Sequence, residues 1–210
     1  MYVGRIVAAG RTRSGSNAAL YRVSSRSFPS RQAVELGGRL AIVPRPGHEA
    51  DLLKNPYISY NCLRIAGSFA VATNGSHTDP IAEKIERGVP VRDALASVLL
   101  ALDYEKDDFN TPRIAAVVPQ SGDTAWLGVV RHDALEVREV ELAAGRAIWI
   151  ATYEAASVSA ERSVPFDASD APGSARATVH GEGFAELEKP VSAAAALAGE
   201  SRFALGTFNV

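Results

Sequence analysis

The chain has 210 residues, of which 47% are hydrophobic and 22% are charged, and its formal net charge is −2 at pH 7. This composition can bury a sizeable core, and it excludes a strongly basic nucleic-acid binder and an acidic disordered chain. A single cysteine excludes an internal disulfide framework and fits a reducing compartment. The N-terminal apolar run is too short for a signal peptide, and no stretch reaches the roughly 18 apolar residues of a membrane span. We therefore expect a cytoplasmic protein that contacts neither membrane nor nucleic acid.

The N-terminal region combines a predicted hairpin with an unusual charge pattern. Tyr2–Ala9 and Ala18–Ser24 are predicted strands on either side of a turn at Arg13–Asn17. Six arginines, but no lysine and no acid, precede Glu35. Arginine binds phosphate and carboxylate through paired hydrogen bonds, so the pattern favours a small anionic ligand. The alternative is that these arginines are scattered over the solvent faces of the two strands.

Two polar segments follow this hairpin. Val23–Arg31 is predicted to leave the sheet as a loop stiffened by proline, and its serines and arginines could surround a phosphate. Leu40–Val43 is a predicted short strand. Lys54–Cys62 is the second polar segment, and it ends beside an apolar strand, so Cys62 is expected to be a buried structural thiol.

The middle of the chain contains a second predicted hairpin and a helix. Leu63–Ile65 and Phe69–Thr73 are its two strands, and the polar loop Asn74–Asp79 follows. Asp79 is predicted to cap a helix that runs from Pro80 to Arg87. Small hydrogen-bond donors before a helix N-terminus can also bind an anion, so the loop is either a cap or part of a ligand site.

The stretch Asp103–Arg113 carries the densest chemistry in the sequence. It joins a predicted helix, Val91–Leu102, to a predicted strand, Ile114–Val118. Its eleven residues include four carboxylates, a lysine, an arginine, a tyrosine and an asparagine. Functional residues are often found on connectors between rigid elements, although a solvated, charged loop would have the same composition.

The remaining elements predict an α+β domain. Residues 161–178 give no clear pattern, Val191–Leu197 is predicted as a short alanine-rich helix, and Phe203–Phe208 as a closing strand. The order of strands and helices favours one α+β domain over residues 1–210. Three further strands are predicted at Trp126–Val130, Leu135–Val140 and Ala147–Thr152.

Several known chemistries have no counterpart here. The four histidines have no metal-ligand spacing with one another or with Cys62, so neither a metal nor a cofactor is expected. No nucleophile elbow, kinase signature or P-loop is present. What remains is a set of arginines, tyrosines, asparagines and carboxylates, which can bind a phosphorylated, amide-bearing molecule and move protons on it.

Several long motifs resemble the archaeal-type IMP cyclohydrolase family. The resemblance extends from the first residue to about Tyr153 and weakens until Val191–Ala196. It is carried by Tyr2–Arg5, Tyr21–Pro29, Asn55–Tyr57, Tyr60–Cys62, Asn74–Asp79, Asp103–Asp107 and Asn110–Arg113.

The resemblance implies a monofunctional hydrolase acting on cyclic amidines. It would close the formamido-imidazole-carboxamide ribonucleotide to IMP with loss of water, the last step of de novo purine biosynthesis. It also implies a four-layered αββα sandwich similar to the N-terminal-nucleophile hydrolases, and a homo-oligomer. Because the chain starts with Met1 and Tyr2, it offers no N-terminal Ser, Thr or Cys, but the substrate's own carboxamide nitrogen can be the nucleophile.

Two other functions fit the same residues. A non-catalytic purine-nucleotide-binding protein would need the arginines and asparagines but no proton-transfer pair. An amidohydrolase of the N-terminal-nucleophile type would need cleavage to expose a catalytic residue.

Carried over by position, the resemblance places Arg31, Tyr60 and Glu105 in the active site as catalytic residues. We assign Tyr60 and Glu105 to proton transfer and Arg31 to the phosphate or the developing oxyanion. The alternatives are a structural hydrogen bond for Tyr60 and a surface ion pair of Glu105 with Lys106 or Arg113.

The substrate-binding residues are expected to divide between the phosphate and the base. Arg26 would join Arg31 at the phosphate, and Asn61 and Asn110 would bind the base amide. The full predicted binding set is Arg22, Ser24, Arg26, Asn61, Asn74, Ser76, His77, Asp103, Lys106, Asn110 and Arg113.

Overall fold

A computed structural model describes residues 1–210 and contains two antiparallel sheets and four α-helices. A short 3₁₀ turn lies at Pro56–Ile58. None of the helices has the length and hydropathy needed to cross a bilayer. The strands are β1 Arg5–Arg11, β2 Asn17–Ser24, β3 Arg31–Leu36, β4 Arg39–Pro44, β5 Tyr60–Ala66, β6 Phe69–Thr73, β7 Arg113–Pro119, β8 Thr124–Arg131, β9 Ala134–Glu141, β10 Arg146–Ala151, β11 Ser163–Pro165, β12 Pro190–Ala198 and β13 Phe203–Asn209. The helices are α1 Asp51–Lys54, α2 Thr78–Glu86, α3 Val91–Leu102 and α4 Ala171–His180.

The strands form two sheets that face each other. The first sheet has the order β11-β10-β1-β2-β12-β13, and the second has the order β3-β4-β5-β6-β7-β8-β9. A core of 28 buried residues draws on both sheets, among them Val7 and Tyr21 from the first and Leu40 and Cys62 from the second. This shared core holds the two sheets together, because their apolar inner faces have no other surface to cover them.

The helices cover the outer faces. α4 packs on the first sheet, where Ala175 and Val179 join a core of 18 residues. α2 and α3 pack on the second sheet, where Ile81 and Leu95 join a core of 10 residues. The predicted α+β class, the hairpin after Tyr60 and the helix Val91–Leu102 are confirmed.

The predicted helix at Val191–Leu197 is wrong. This segment is β12, and it pairs with β2 on one side and β13 on the other. Its side chains are buried on both faces, with Ala194 and Ala196 between the sheets and Ala193 and Ala195 under α4. Small side chains let both neighbouring layers approach the strand closely, and this pairing overrides the helix propensity of alanine.

Two local predictions also need correction. Asp79 does not cap α2, because the helix starts at Thr78 with His77 as its N-cap, and no side chain caps it. Arg31 does not end a loop but begins β3, a strand that the sequence analysis missed. The side chain of Asp79 instead accepts hydrogen bonds from Asn61 and Arg64.

Candidate active site

A cavity of about 870 Å³ opens where loops gather at one end of the two sheets. The start of β1, the segment after β2, the start of β3 and the segment after β10 contribute to it, together with α1, the 3₁₀ turn and the loop before β7. The antiparallel pairing of β1 with β2 and β10 brings these strand ends to the same edge. The lining residues are Met1, Tyr2, Arg5, Ser25, Arg26, Ser27, Phe28, Arg31, Lys54, Asn55, Tyr57, Ile58, Glu105, Asp107, Asp108, Phe109, Tyr153 and Glu154.

Aromatic rings form part of the cavity wall. Tyr2 stacks on Tyr153 with a ring separation of 6.0 Å, and Phe109 meets Tyr153 edge to face at 6.4 Å. The loop that carries Phe109 is fixed by Asp107, whose carboxylate accepts hydrogen bonds from the backbone and hydroxyl of Thr111. Rings held in this way offer a flat apolar surface on which a heterocyclic base can stack.

Glu105 is the most deeply buried carboxylate of the cavity, with only 1% of its surface exposed. Its Oε2 accepts a hydrogen bond from Arg5 Nη2 at 3.1 Å, and its Oε1 lies 3.6 Å from Arg113 Nη1. Burial raises the pKa of the Glu105 carboxyl, and the charges of Arg5 and Arg113 offset only part of that rise. Oε1 makes no hydrogen bond within the protein. Oε1 is itself buried and lies on the side of Arg113 and His77. The carboxyl as a whole lines the cavity and has a raised pKa, which is typical of a catalytic acid or base.

A second polar group lies behind Glu105. His77 is buried, and its Nε2 lies 3.0 Å from the carbonyl of Ile114, so this nitrogen is the donor and Nδ1 is the acceptor. Burial, reinforced by the charge of Arg113, lowers the pKa of His77 to about 3. A Cβ at Gly75 would lie 2.9 Å from Arg113 Nη1 and 3.3 Å from both Glu105 Oε1 and His77 Nδ1. Because residue 75 is a glycine, these three polar side chains can lie close together, although they belong to two separate segments of the sequence.

Tyr60 lies beside two arginines of the cavity wall. The charges of Arg31 and Arg5 act to lower its pKa, but burial is the larger effect and raises it. The hydroxyl of Tyr60 lies 2.5 Å from that of Tyr21, which reaches it from the opposite sheet. At neutral pH Tyr60 is consequently a protonated hydroxyl with a proton to donate; it is 8% exposed and lies behind the residues that line the cavity.

Arg31 and Arg26 place cations in the cavity wall. Arg31 is 3% exposed, and its Nε donates to the carbonyl of Phe28, which is the only hydrogen bond that its side chain makes. Burial lowers the pKa of Arg31. Arg26 is exposed, pairs with Glu188 at 3.0 Å and lies over the ring of Tyr2. Each side chain makes one hydrogen bond within the protein, but only Arg31 has no carboxylate partner, so its charge is more available to an anion.

The structure brings some of the predicted site residues together. Glu105, Arg31 and Arg26 line the cavity, and Tyr60 lies beside Arg31. Arg113 supports Glu105 from behind and donates through Nε to the Asp103 carbonyl at 2.8 Å. His77 and Asn74 belong to the same supporting layer, and the side chain of Asn74 bonds the backbone of Pro112 and Ile114.

Other predicted binding residues point elsewhere. Arg22 faces the side of the first sheet that α4 covers, and it bonds Ser24 and three backbone carbonyls there. Asn61 donates to Asp79 on α2. None of the remaining predicted residues lines the cavity; these are Ser24, Ser76, Asp103, Lys106 and Asn110.

The sequence analysis missed several cavity residues. Arg5 was counted among the N-terminal arginines but was not assigned to Glu105, which lies 100 positions away in the sequence. Tyr2 and Tyr57 fall within the motifs that carry the family resemblance, so the motifs were a usable signal for both. Phe109 and Tyr153 gave no such signal, because isolated aromatics more often belong to the core.

Comparisons with known proteins agree with these features. The family described as IMP cyclohydrolase-like protein matches residues 2–202. A protein of Methanocella arvoryzae named IMP cyclohydrolase is 50% identical over 210 residues, which cover 100% of this chain and 98% of the relative. Proteins with the same name from Methanococcus maripaludis and Halobacterium salinarum are 46% and 51% identical; the first match covers 94% of this chain and 95% of the relative, and the second 84% and 83%. The resemblance inferred from the motifs is confirmed, and the chain belongs to the IMP cyclohydrolase-like protein family.

Proposed function

We propose that the protein is an IMP cyclohydrolase that closes the formamido-imidazole-carboxamide ribonucleotide to IMP in purine biosynthesis. The relatives named IMP cyclohydrolase match most or all of the chain, which supports this function. The structural observation that carries it is the buried carboxylate of Glu105, which lines a cavity together with Arg5 and Arg31.

The reaction needs proton transfer and positioning more than a protein nucleophile. The carboxamide nitrogen of the substrate attacks the formyl carbon, and a C–N bond forms. The nitrogen loses one proton while the formyl oxygen gains one. The former formamide nitrogen then loses its proton, the C–O bond breaks with a second proton added to oxygen, and water leaves. Substrate and products balance without an oxidant, a reductant or a co-substrate.

Cations on one part of the wall are placed to bind the phosphate. Arg31 keeps both terminal nitrogens free of protein hydrogen bonds, and Ser25, Ser27 and Lys54 also line the cavity. Arginine forks and hydroxyls are strong phosphate ligands. We assign Arg31 the principal phosphate contact and give Arg26 a weaker one, since Glu188 already pairs with it.

Glu105 and Tyr60 provide the proton transfers in this proposal. A carboxyl with a raised pKa accepts the proton of the attacking nitrogen more readily than an ordinary carboxylate does. A tyrosine hydroxyl beside two guanidinium groups can donate a proton to the departing oxygen, because their charge stabilises the phenolate that remains. We therefore assign Glu105 as the base and Tyr60 as the acid. Arg5 and Arg113 hold the carboxyl in place.

The finer fold description is also a proposal. Helices cover both outer faces of two facing sheets, and this order of layers supports an αββα sandwich similar to the N-terminal-nucleophile hydrolases. The shared core supports a single domain over residues 1–210. We further propose, from the family resemblance, a homo-oligomer that acts on a purine ribonucleotide in the cytoplasm.

Turnover by the purified protein tests the function. The formylated ribonucleotide is incubated with enzyme, and ring closure is followed by absorbance with IMP identified by chromatography. We expect catalytic turnover with one IMP formed per substrate consumed. Tight binding of IMP without turnover would indicate a nucleotide-binding protein, and an intact mass that shows cleavage would favour an amidohydrolase.

A further inference from the structure

A pair of tyrosines, one of which is the proposed acid Tyr60, joins the two sheets. Tyr21 lies on β2 in the first sheet and Tyr60 on β5 in the second. Their hydroxyl oxygens are 2.5 Å apart, and their rings meet edge to face with centroids 6.3 Å apart. Tyr21 has no exposed surface, whereas Tyr60 is 8% exposed. Tyr60 is thus the member of the pair that is nearer to solvent.

The hydrogen-bonding capacity of the pair fixes which hydroxyl donates. Two hydroxyl protons are present, and only one can lie between the two oxygens. The other proton would be buried without an acceptor if it belonged to Tyr21, because Tyr60 is the only partner of the Tyr21 hydroxyl. A buried donor without an acceptor is destabilising, so the favoured arrangement has Tyr21 donating to Tyr60. The proton of Tyr60 then points away from Tyr21.

The charges around the pair favour the same arrangement. Arg31 and Arg5 both act to lower the pKa of Tyr60, although burial dominates and raises it. Burial also raises the pKa of Tyr21, where the charge of Arg5 acts in the opposite direction. Tyr60 is therefore the hydroxyl that can release a proton.

We propose that Tyr21 is a positioning residue that donates to Tyr60 and directs the Tyr60 proton toward the substrate. This inference rests on the proposed function. When Tyr60 gives its proton to the departing oxygen, the hydrogen bond from Tyr21 strengthens onto the developing phenolate. Tyr21 acts through Tyr60 and does not itself touch the substrate, so its contribution exists only while Tyr60 has a hydroxyl.

A double-mutant cycle tests this dependence. Tyr21→Phe removes one oxygen and keeps the ring, and we expect kcat to fall about tenfold, as for the loss of one hydrogen bond of about 1.4 kcal/mol, with KM within about twofold. Tyr60→Phe should lower kcat by about 10²–10⁴. The double variant should be no slower than Tyr60→Phe alone, because groups that act as a unit do not multiply.

The outcomes separate the positioning role from a structural one. A further tenfold loss from Tyr21→Phe in the Tyr60→Phe background would show that Tyr21 supports the fold, and an unchanged kcat in Tyr21→Phe would overturn the proposal outright. If Tyr21→Phe does not fold, 3-fluorotyrosine at position 21 keeps the ring and a stronger donor, and kcat should remain within about threefold of wild type. Loss of activity on that conservative replacement would contradict the inference. A wild-type enzyme without turnover would refute the proposed function itself, and the inference with it.

Discussion

The arginines of the N-terminal region illustrate how this molecule separates structure from function. Arg22 is fully buried on the face of the first sheet that α4 covers, and carbonyls of Thr178, Phe184 and Leu187 surround it. Arg5 and Arg31 lie at the cavity, each with side-chain nitrogens that no protein group accepts from. All three belong to the arginine-rich N-terminal region, yet only Arg5 and Arg31 are available to a ligand.

The difference lies in how each charge is compensated. Burial lowers the pKa of Arg22 to about 10, and no carboxylate pairs with it, so only neutral dipoles, three carbonyls and the hydroxyl of Ser24, stabilise its charge. Beside the cavity, Glu105 and the neighbouring tyrosines raise the pKa of Arg5 despite the opposing effect of burial. A buried charge whose hydrogen bonds are complete stabilises the fold, whereas one with spare donors beside a cavity can bind and react.

The largest effect is expected at Glu105, the carboxylate that pairs with the cavity residue Arg5. Glu105→Gln keeps the shape of the side chain and removes its ability to accept a proton, so kcat should fall by about 10²–10⁴. The affinity for IMP should change little, because the loss belongs to the transition state. Steady-state kinetics and titration with IMP measure the two quantities.

The neighbouring lysine provides the control for Glu105. Lys106 is exposed and bonds Asp103, so Lys106→Ala should change kcat by less than about twofold. If Glu105→Gln lowered the melting temperature but left kcat intact, Glu105 would be a structural ion-pair partner, as its two arginine contacts alone would suggest.

Arg22→Met should reduce the stability of the fold and leave nucleotide binding unchanged. The substitution leaves the buried carbonyls of Thr178 and Leu187 without a donor, whereas the carbonyl of Phe184 still accepts from the backbone of Leu187. At roughly 1–3 kcal/mol for each unpaired carbonyl, we expect a loss of about 2 kcal/mol or more in the free energy of unfolding. Denaturant unfolding measures it, with Arg39→Met as a control at an exposed arginine on β4. The fraction that remains folded should keep its affinity for IMP; a selective loss of nucleotide affinity would place Arg22 in the site after all.

Arg31→Met should show a smaller and more specific effect. A charge-assisted hydrogen bond contributes roughly 1.5–3 kcal/mol, so the affinity for the nucleotide should fall about ten- to a hundredfold. The affinity for the dephosphorylated nucleoside should stay nearly the same. Calorimetry with both ligands makes the comparison, and equal losses would mean that Arg31 holds the base or the fold.

Arg26→Met provides the matched comparison for Arg31. Arg26 is exposed and already paired with Glu188, so its removal should weaken nucleotide binding by less than about fivefold. An effect as large as that of Arg31→Met would show that the Glu188 pair opens when the phosphate binds.

The sequence predicted which segments contribute to the site better than it predicted which of their residues do so. The stretch Asp103–Arg113 and the polar segment at Tyr60 both contribute to the site region, because charge and amide groups beyond the needs of a turn are visible in one dimension. The arginine-rich hairpin was also informative. Composition does not show on which face of the sheet a strand residue lies, so the roles of Arg22 and Arg5 could not be distinguished.

The misassigned strand β12 has a related cause. Its alanines favour a helix when only the local sequence is considered, and nothing within the segment encodes its partners β2 and β13, which lie far away in the chain or beyond a turn. The pairing of Tyr21 with Tyr60 is equally invisible, because the two residues lie on different sheets. Contacts between layers depend on the whole fold and therefore need the structure.

The layer behind Glu105 can be tested through the pH dependence of stability at His77. Its pKa is lowered to about 3 by burial and by Arg113, while an unfolded histidine titrates near ~6.5. Between these values the unfolded chain binds a proton that the native protein does not, so His77 stabilises the fold above about pH 6.5 and loses this contribution as pH falls toward 3.

Relative to His77→Gln, the wild type should lose about 1.4 kcal/mol of unfolding free energy per pH unit in that window. Other titrating groups, Glu105 included, are common to both proteins and cancel in the difference. A constant difference in unfolding free energy between wild type and His77→Gln from pH 7 to pH 4 would mean that the pKa of His77 is not lowered and that its environment is open to water.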